Sequence, residues 1–232
     1  MFFSNSYVIL CFLTKGAAFG ALHAILTNTN YKINIMIFER GHFNSNKIEK
    51  AQINEALSET RTFSYKKKVQ YKPTIFLSHK HSDLEDLQGV MGILKDIGAK
   101  IYIDSMDDKM PGQTSGETAE RIKEVIKYCK KFVLLATDKA IASYWCNWEL
   151  GFGDTHKFMD HIAILPMKEK REPDSLYKGN EYLQIYPSID YEDGTKRYRN
   201  TQELIPRGYY VCKPRNKEGI RFITPLQQWL NE

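Results

Sequence analysis

The chain predicts an α/β fold, a parallel sheet with helices on both faces, flanked by N-terminal and C-terminal extensions. Three observations predict it. From Pro73 to Met167 the pattern runs strand, helix, strand, helix, strand, helix, strand, the order that gives parallel sheets with crossover helices. The runs Ile75-Phe76-Leu77 and Phe132-Val133-Leu134-Leu135-Ala136 are continuously apolar, as strands buried on both faces are. Between them, apolar residues recur at helical spacing.

The elements follow in order. The apolar segment Tyr7–Leu26 reads as a strand, Tyr7–Leu13, followed by an apolar helix. Lys15, His23, Gly16 and Gly20 interrupt this segment, whereas a membrane span wants about 20 mostly apolar residues. No basic residue precedes the apolar run, as a secretory signal would require, so a membrane anchor is the lesser reading. Lys32–Phe38 alternates as a strand. Asn46–Glu59 carries Ile48, Ile53 and Leu57 as a thin helical stripe, and Thr60–Lys72 is polar and basic, a linker. Residues 1–72 therefore form an N-terminal extension, 73–167 the core domain, and 168–232 a C-terminal extension that completes or flanks it.

In the core, Thr74–Leu77 is the first strand. Ser82 with Glu85 has the form of a capping box. Leu84, Leu87, Met91, Leu94 and Ile97 mark a helix that Gly98 closes. Lys100–Asp104 is the second strand, and Ser105–Ser115 a long polar loop containing Pro111-Gly112. Glu117–Lys130 is the second helix, with Ile122, Val125, Ile126 and Cys129 inward. Phe132–Ala136 is the third strand, Trp145–Gly151 opens the third helix, and His161–Pro166 is the fourth strand. Beyond it, Tyr182–Ile189 reads as a fifth strand and Tyr191–Arg199 as turns. Arg207–Cys212 and Gly219–Ile223 pair as a hairpin, and Pro225–Leu230 is a closing helix.

Composition narrows the function classes. Lys and Arg number 33 against 28 Asp and Glu, a net charge of +5. The charge is spread out, and only Lys66-Lys67-Lys68 with Lys72 clusters. A nucleic-acid footprint is denser, so no nucleic-acid partner is expected. The four cysteines, Cys11, Cys129, Cys146 and Cys212, make no C-x-x-C pair. Neither a zinc nor a redox motif follows, and a reducing, cytoplasmic setting fits. His79, His81 and Asp83 share a loop but supply too few ligands for a metal. Ser78 lacks the Gly-x-Ser-x-Gly elbow of a nucleophile.

The segment Trp145-Cys146-Asn147-Trp148-Glu149-Leu150 carries the chemical signal. In a helix, Trp145 and Glu149 share a face, so a carboxylate and a flat ring point into one space. Ligands of such sheets bind beyond the carboxyl ends of the strands. The Ser78–Asp83, Asp104–Ser115 and Thr137–Tyr144 loops leave those ends, and the last leads into Trp145 and Glu149. A half-buried amphipathic helix with Glu149 at the water edge is the plainer reading.

Together, Ile75-Phe76-Leu77-Ser78-His79 with Ser82-Asp83, Tyr102-Ile103-Asp104 with Pro111-Gly112, Phe132–Thr137, and Ser143-Tyr144-Trp145-Cys146-Asn147-Trp148-Glu149-Leu150 resemble a Toll/interleukin-1 receptor (TIR) domain of the bacterial defence type. The resemblance spans about Pro73–Met167 and implies a flavodoxin-like sheet. It also implies an enzyme that cleaves NAD+ at the nicotinamide–ribose bond, with NAD+ as substrate and no separate cofactor or metal. Glu149 matches the family's essential acid, and Trp145 the ring beside the ligand. Ser78, His79, Cys146 and the Asp104, Pro111 and Gly112 of the loop match the parts around the nucleotide. Asp107-Asp108 and the loop's length depart from what a pyrophosphate favours. The products implied are ADP-ribose, if water attacks, or a cyclic ADP-ribose signal, if the substrate's own adenine does. The setting implied is antiphage defence, with self-association into an oligomer or filament, and a downstream effector that senses the product. The rival reading is a non-enzymatic adaptor acting by self-association. A deoxyribosyl transferase on a similar sheet is a third.

Overall fold

The structure, a computed structural model, describes residues 24–25, 36–48, 74–103, 115–171 and 180–232. Its strands are β1 (Ala24–Ile25), β2 (Phe38–Glu39), β3 (Thr74–Ser78), β4 (Lys100–Tyr102), β5 (Lys131–Ala136), β6 (Ile162–Lys168), β7 (Ser188–Glu192), β8 (Gly208–Cys212) and β9 (Phe222–Pro225). Its α-helices are α1 (Leu84–Asp96), α2 (Gly116–Tyr128), α3 (Asp138–Ile141), α4 (Tyr144–His156) and α5 (Leu226–Asn231).

The central strands lie in the order β4-β3-β5-β6-β7 and are parallel. Numbered from β3, that is 2-1-3-4-5, the flavodoxin-like order. The expected sheet is therefore present. It continues beyond β7 through antiparallel β8, β9 and β1. The expected hairpin is β8–β9, and the closing helix is α5.

Strand periodicity builds two cores. Ile75 and Leu77 of β3, Val133 and Leu135 of β5, and Ala163 and Leu165 of β6 face one side, against Leu87, Met91 and Leu94 of α1 and Trp229 of α5. Phe76, Phe132, Leu134 and Ile164 face the other, against Ile122, Val125 and Ile126 of α2 and Cys146 and Leu150 of α4. Successive residues of a strand point to opposite faces, so continuous apolar runs are what a sheet covered on both sides needs. Phe76 stacks between Tyr102 and Phe132, at 5.6 and 5.5 Å between ring centres.

Residues 36–48 join the first core. β2 extends β6 in parallel, with Phe38 opposite Met167, and Phe38 and Phe43 are buried beside α1. Of the strand expected over Lys32–Phe38, only its end lies within the described residues. Tyr7–Leu13, most of the apolar helix expected up to Leu26, most of Asn46–Glu59, the linker and Asp104–Gly112 lie outside them; Ala24–Ile25, within that expected helix, is instead strand β1, paired antiparallel with β9. Among the described residues, no helix is long and apolar enough to cross a membrane.

Three local expectations are corrected. Ser82 and Glu85 do not form a capping box: a 3₁₀ turn, His81–Asp83, leads into α1, whose N-cap is Asp83 without a side-chain cap bond. The Asp83 carboxylate is engaged elsewhere, as described below. The box that does form is at α2, where Ser115 and Thr118 exchange bonds. Tyr182–Ile189 is not one strand. A 3₁₀ turn covers Glu181–Ile185, and β7 starts only at Ser188, after Pro187, which holds Tyr186 extended. Finally, the expected Thr137–Tyr144 loop contains the short helix α3, capped by Thr137, whose hydroxyl accepts from the Ala140 N–H.

Candidate active site

The site lies where the sheet's winding reverses, beyond the adjacent carboxyl ends of β3 and β5. Ser78 ends β3 and Thr137 follows β5. In such sheets the diverging loops leave a crevice at this point.

Helix α4 brings the acid to it. Ser143 caps the helix, its hydroxyl accepting from the Cys146 N–H at 3.5 Å. Asn147 Nδ2 donates to the carbonyls of Ile141 and Ser143, at 2.7 and 3.0 Å. These bonds lock the α3–α4 junction and fix which way the first turn of α4 faces. Glu149 then points inward. It is 1 % exposed, and its Oε2 accepts from Ser78 Oγ at 2.5 Å. The reading that put Glu149 at the water edge is therefore overturned. Burying a carboxylate costs several kcal/mol unless donors meet it, and a short charge-assisted bond of this kind is among the stronger ones. This contact joins residues 71 positions apart. It sits at the strand end where the fold places ligands.

A second tether runs beside the first. The Cys146 thiol donates to the His79 carbonyl at 3.4 Å. His79 is itself buried, with its ring stacked on His81 at 6.4 Å. A third ties the far end of the same loop: Thr137 Oγ1 donates to Asp83 Oδ2 at 2.5 Å. Asp83 is fully buried, and Arg40 Nη2 lies 3.1 Å from its Oδ1. The loop after β3 is thus fastened to α4 at Ser78 and His79, and to the cap of α3 at Asp83.

Trp145 is half-buried on the same helix. Its ring packs on Trp148 at 5.1 Å, the start of a row continuing to Phe152 and His156. Lys123 of α2 reaches over Trp148 and Phe152, 5.9 and 5.6 Å from the ring centres. Asp154, one turn on, engages Tyr186, away from Ser78; burial, then Asp154 itself, push that phenol up to about 12.

Of the residues singled out in the sequence, the fold brings Ser78, His79, Cys146 and Glu149 together and sets Trp145 on the same helix turn. Asp104, Pro111 and Gly112 lie outside the described residues. Sequence reasoning missed Thr137 and Arg40. Thr137-Asp138 after a buried strand is a helix-start signal that could have identified the first. Nothing in the sequence marks Arg40, because its partners Asp83, Asp86 and Glu169 are 43, 46 and 129 positions away. Among the described residues, no cluster of His, Cys, Asp and Glu has the makings of a metal site.

What the arrangement offers is a buried carboxylate held by a hydroxyl at the carboxyl edge of the sheet. Such a group can accept hydrogen bonds from a sugar and stabilise positive charge developing on it.

Comparison with known proteins agrees with this architecture. A curated relative from Bacillus cereus (strain MSX-D12), named "Probable 3' cyclic ADP-D-ribose synthase ThsB'", is 32 % identical over 205 residues, covering 88 % of this chain and 95 % of the relative. The family model for the TIR domain matches residues 75–205, beyond the Pro73–Met167 span of the resemblance and through β7. With the 2-1-3-4-5 sheet and more than half the chain matched, this protein belongs to the TIR domain family.

Proposed function

We propose that this protein is a TIR-type NAD+ glycohydrolase and cyclase of antiphage defence, cleaving the nicotinamide–ribose bond at Glu149. The observation that carries the reading is the buried Ser78–Glu149 contact at the carboxyl edge of the parallel sheet. The activity printed in the name of the Bacillus cereus relative supports it and favours a cyclic product.

The chemistry asks little of a proton donor. Nicotinamide leaves as a neutral molecule from a cationic parent, while positive charge builds on the ribose. Glu149 supplies the compensating negative charge and accepts from ribose hydroxyls, which take over from Ser78 as the ligand enters. Ser78 orients the carboxylate. Trp145 and His79 flank the crevice, with Asp104, Pro111 and Gly112 contributing from the neighbouring loop. Cys146 acts as a tether and not as a nucleophile. A nucleophile of the substrate itself then closes the ring, or water gives ADP-ribose. The two products differ by one water in mass.

Glu149 has little exposure in the single chain, so ligand entry requires the surrounding loops to part. We assign that opening to self-association, in dimers or filaments, with the product released to a nucleotide-sensing effector. Buried thiols at Cys129, Cys146 and Cys212 suit a cytoplasmic setting.

Incubation of the assembled protein with NAD+, followed by mass spectrometry, tests the reading. Nicotinamide and a cyclic ADP-ribose should appear, and a folded Glu149→Gln variant should make neither. Equal NAD+ loss in that variant would overturn the assignment. An assembled protein that never consumes NAD+ would favour the adaptor.

A further inference from the structure

We infer that Arg40, outside the span matched to the TIR family, is a positioning residue for the active site. It acts through Asp83 on the loop that carries Ser78. The inference rests on the functional reading above for its kinetic arm alone.

Two independent sets of contacts place the 36–48 segment where it can do this. The first is polar. Arg40 reaches three carboxylates at once: Nη2 to Asp83 Oδ1 at 3.1 Å, Nε to Asp86 Oδ2 at 2.9 Å, and Nη1 to Glu169 Oε1 at 3.1 Å. The Gly41 N–H adds a 2.7 Å bond to Asp86 Oδ1. Asp86 is 3 % exposed and Asp83 fully buried, so these carboxylates depend on the guanidinium for compensation. The second set is steric. Helix α1 carries Gly89 and Gly92, three positions apart and on one face. A Cβ at either would collide with the backbone carbonyl of Phe43 or Asn46, respectively. Glycine weakens a helix interior relative to alanine; here it lets residues 43–46 lie directly on the helix. The segment is thus a strap, seated on α1 at one end and clamped to Asp83 and Asp86 at the other.

Asp83 transmits the clamp. Its second oxygen accepts from Thr137, the cap of α3. The same loop carries Ser78, the partner of Glu149, and His79, whose carbonyl accepts from Cys146. Without Arg40, Asp83 would be a buried charge lacking its cation. It would draw in water or swing out, releasing the Ser78–Asp83 loop and the α3 cap together. A small misplacement of a catalytic carboxylate is enough to lower turnover strongly.

The test uses the full chain with Arg40→Gln, Arg40→Lys and Gly92→Ala. Two readouts are followed: NAD+ turnover, and amide hydrogen exchange resolved by peptide. Arg40→Gln should lower kcat about tenfold or more with a smaller change in KM. It should speed exchange in peptides spanning 78–83 and 137–146, while 208–225 stays protected. Arg40→Lys keeps the charge but not the fork and should fall between. Gly92→Ala favours the helix yet unseats the strap, so it should reproduce the loss with Arg40 and the site untouched. Unchanged kcat in both Arg40→Gln and Gly92→Ala would overturn the inference. So would faster exchange spread evenly over 208–225, which marks general destabilisation. If the unaltered protein consumes no NAD+, the functional reading fails, and the exchange pattern alone then decides: local loosening upholds the strap's role, uniform or absent loosening refutes it.

Discussion

A buried serine–carboxylate pair occurs in each half of the sheet, and the two are built differently. In the antiparallel half, Ser188 Oγ donates to Asp190 Oδ1 at 2.8 Å, two residues along one strand. Arg221 from β9's edge seals the pair, 2.7 Å from Asp190 Oδ2 and 2.5 Å from Ser188 Oγ, and gives a third bond to the Lys213 carbonyl. At the parallel edge, Ser78 meets Glu149 from another element, across the reversal of the winding. The first pair ties β7 to β9 and holds the C-terminal hairpin on the sheet. The second holds a buried carboxylate at the carboxyl edge of the parallel strands, by a hydroxyl that a sugar hydroxyl replaces in the function proposed above. On that proposal the same residue types serve stability in one place and chemistry in the other, and the place in the sheet decides which.

Substitution should separate the two. Asp190→Asn strands the Arg221 charge, 4 % exposed, and should cost about 3–5 kcal/mol of stability, read as a lower denaturation midpoint. NAD+ turnover per folded molecule should stay unchanged. Glu149→Gln should do the reverse. Turnover should fall about a hundred- to a thousandfold, the usual loss when one group stabilising the developing charge is removed, with the midpoint nearly in place. If Asp190→Asn silences the folded enzyme, or Glu149→Gln mainly unfolds it, the division collapses.

Strand β5 offers a sharper contrast within one element, since Thr137 follows its carboxyl end and Lys131 sits at its amino end. Lys131 is fully buried, with Nζ 4.5 Å from the Trp229 ring centre. Burial first, then neighbouring Lys130, pull its ammonium down from 10.5 to about 8. The folded state therefore binds fewer protons than the unfolded chain between about pH 8 and 10.5. Stability carried by this residue rises with pH through that window. Below about 8 the charge stays buried and its full cost stands, at most roughly 3 kcal/mol at 1.36 kcal/mol per unit. Lys131→Met should be the more stable protein at pH 7, by up to that amount, and its advantage should vanish towards pH 10.5. Chemical denaturation at the two pH values measures this. An advantage that grows with pH would show that the charge is not the cost.

How much of this could be read in the sequence depends on the range of each interaction. Strand and helix identity from Ile75 to Leu165 was legible because burial on both faces leaves continuous apolar runs. The helix that carries Glu149 was legible from its apolar window and from the four-residue Trp–Glu spacing that puts both on one face. Its burial was not, because the compensating hydroxyl is 71 residues away. The capping-box reading of Ser82 and Glu85 failed for the same reason: Asp83 satisfies Thr137 and Arg40, which are distant in sequence, in preference to its own helix. Tyr182–Ile189 misled because aromatic and β-branched residues read as a strand, while Pro187 delays it. Gly89 and Gly92 of α1 carry no signal in the sequence alone, because residues 43–46, which lie on them, are more than 40 positions away.

The finest test of the comparison is the serine itself. Ser188→Ala removes a hydroxyl that both donates to Asp190 and accepts from Arg221, so its effect should fall on stability and leave turnover alone. Ser78→Ala removes only an orienting partner. A hydrogen bond to a charged group contributes about 1.5–3 kcal/mol, but a ligand's hydroxyls would replace Ser78 during turnover and restore part of that. The expected loss in kcat is therefore about tenfold, near the lower end of that range at 1.36 kcal/mol per factor of ten. It should be far smaller than that of Glu149→Gln. The double variant with Glu149→Gln should add nothing further, since the serine acts through the carboxylate. Full additivity in that double variant would mean that Ser78 touches the substrate in its own right, and the hydroxyl-exchange account of the crevice would have to be replaced by one with two independent contacts.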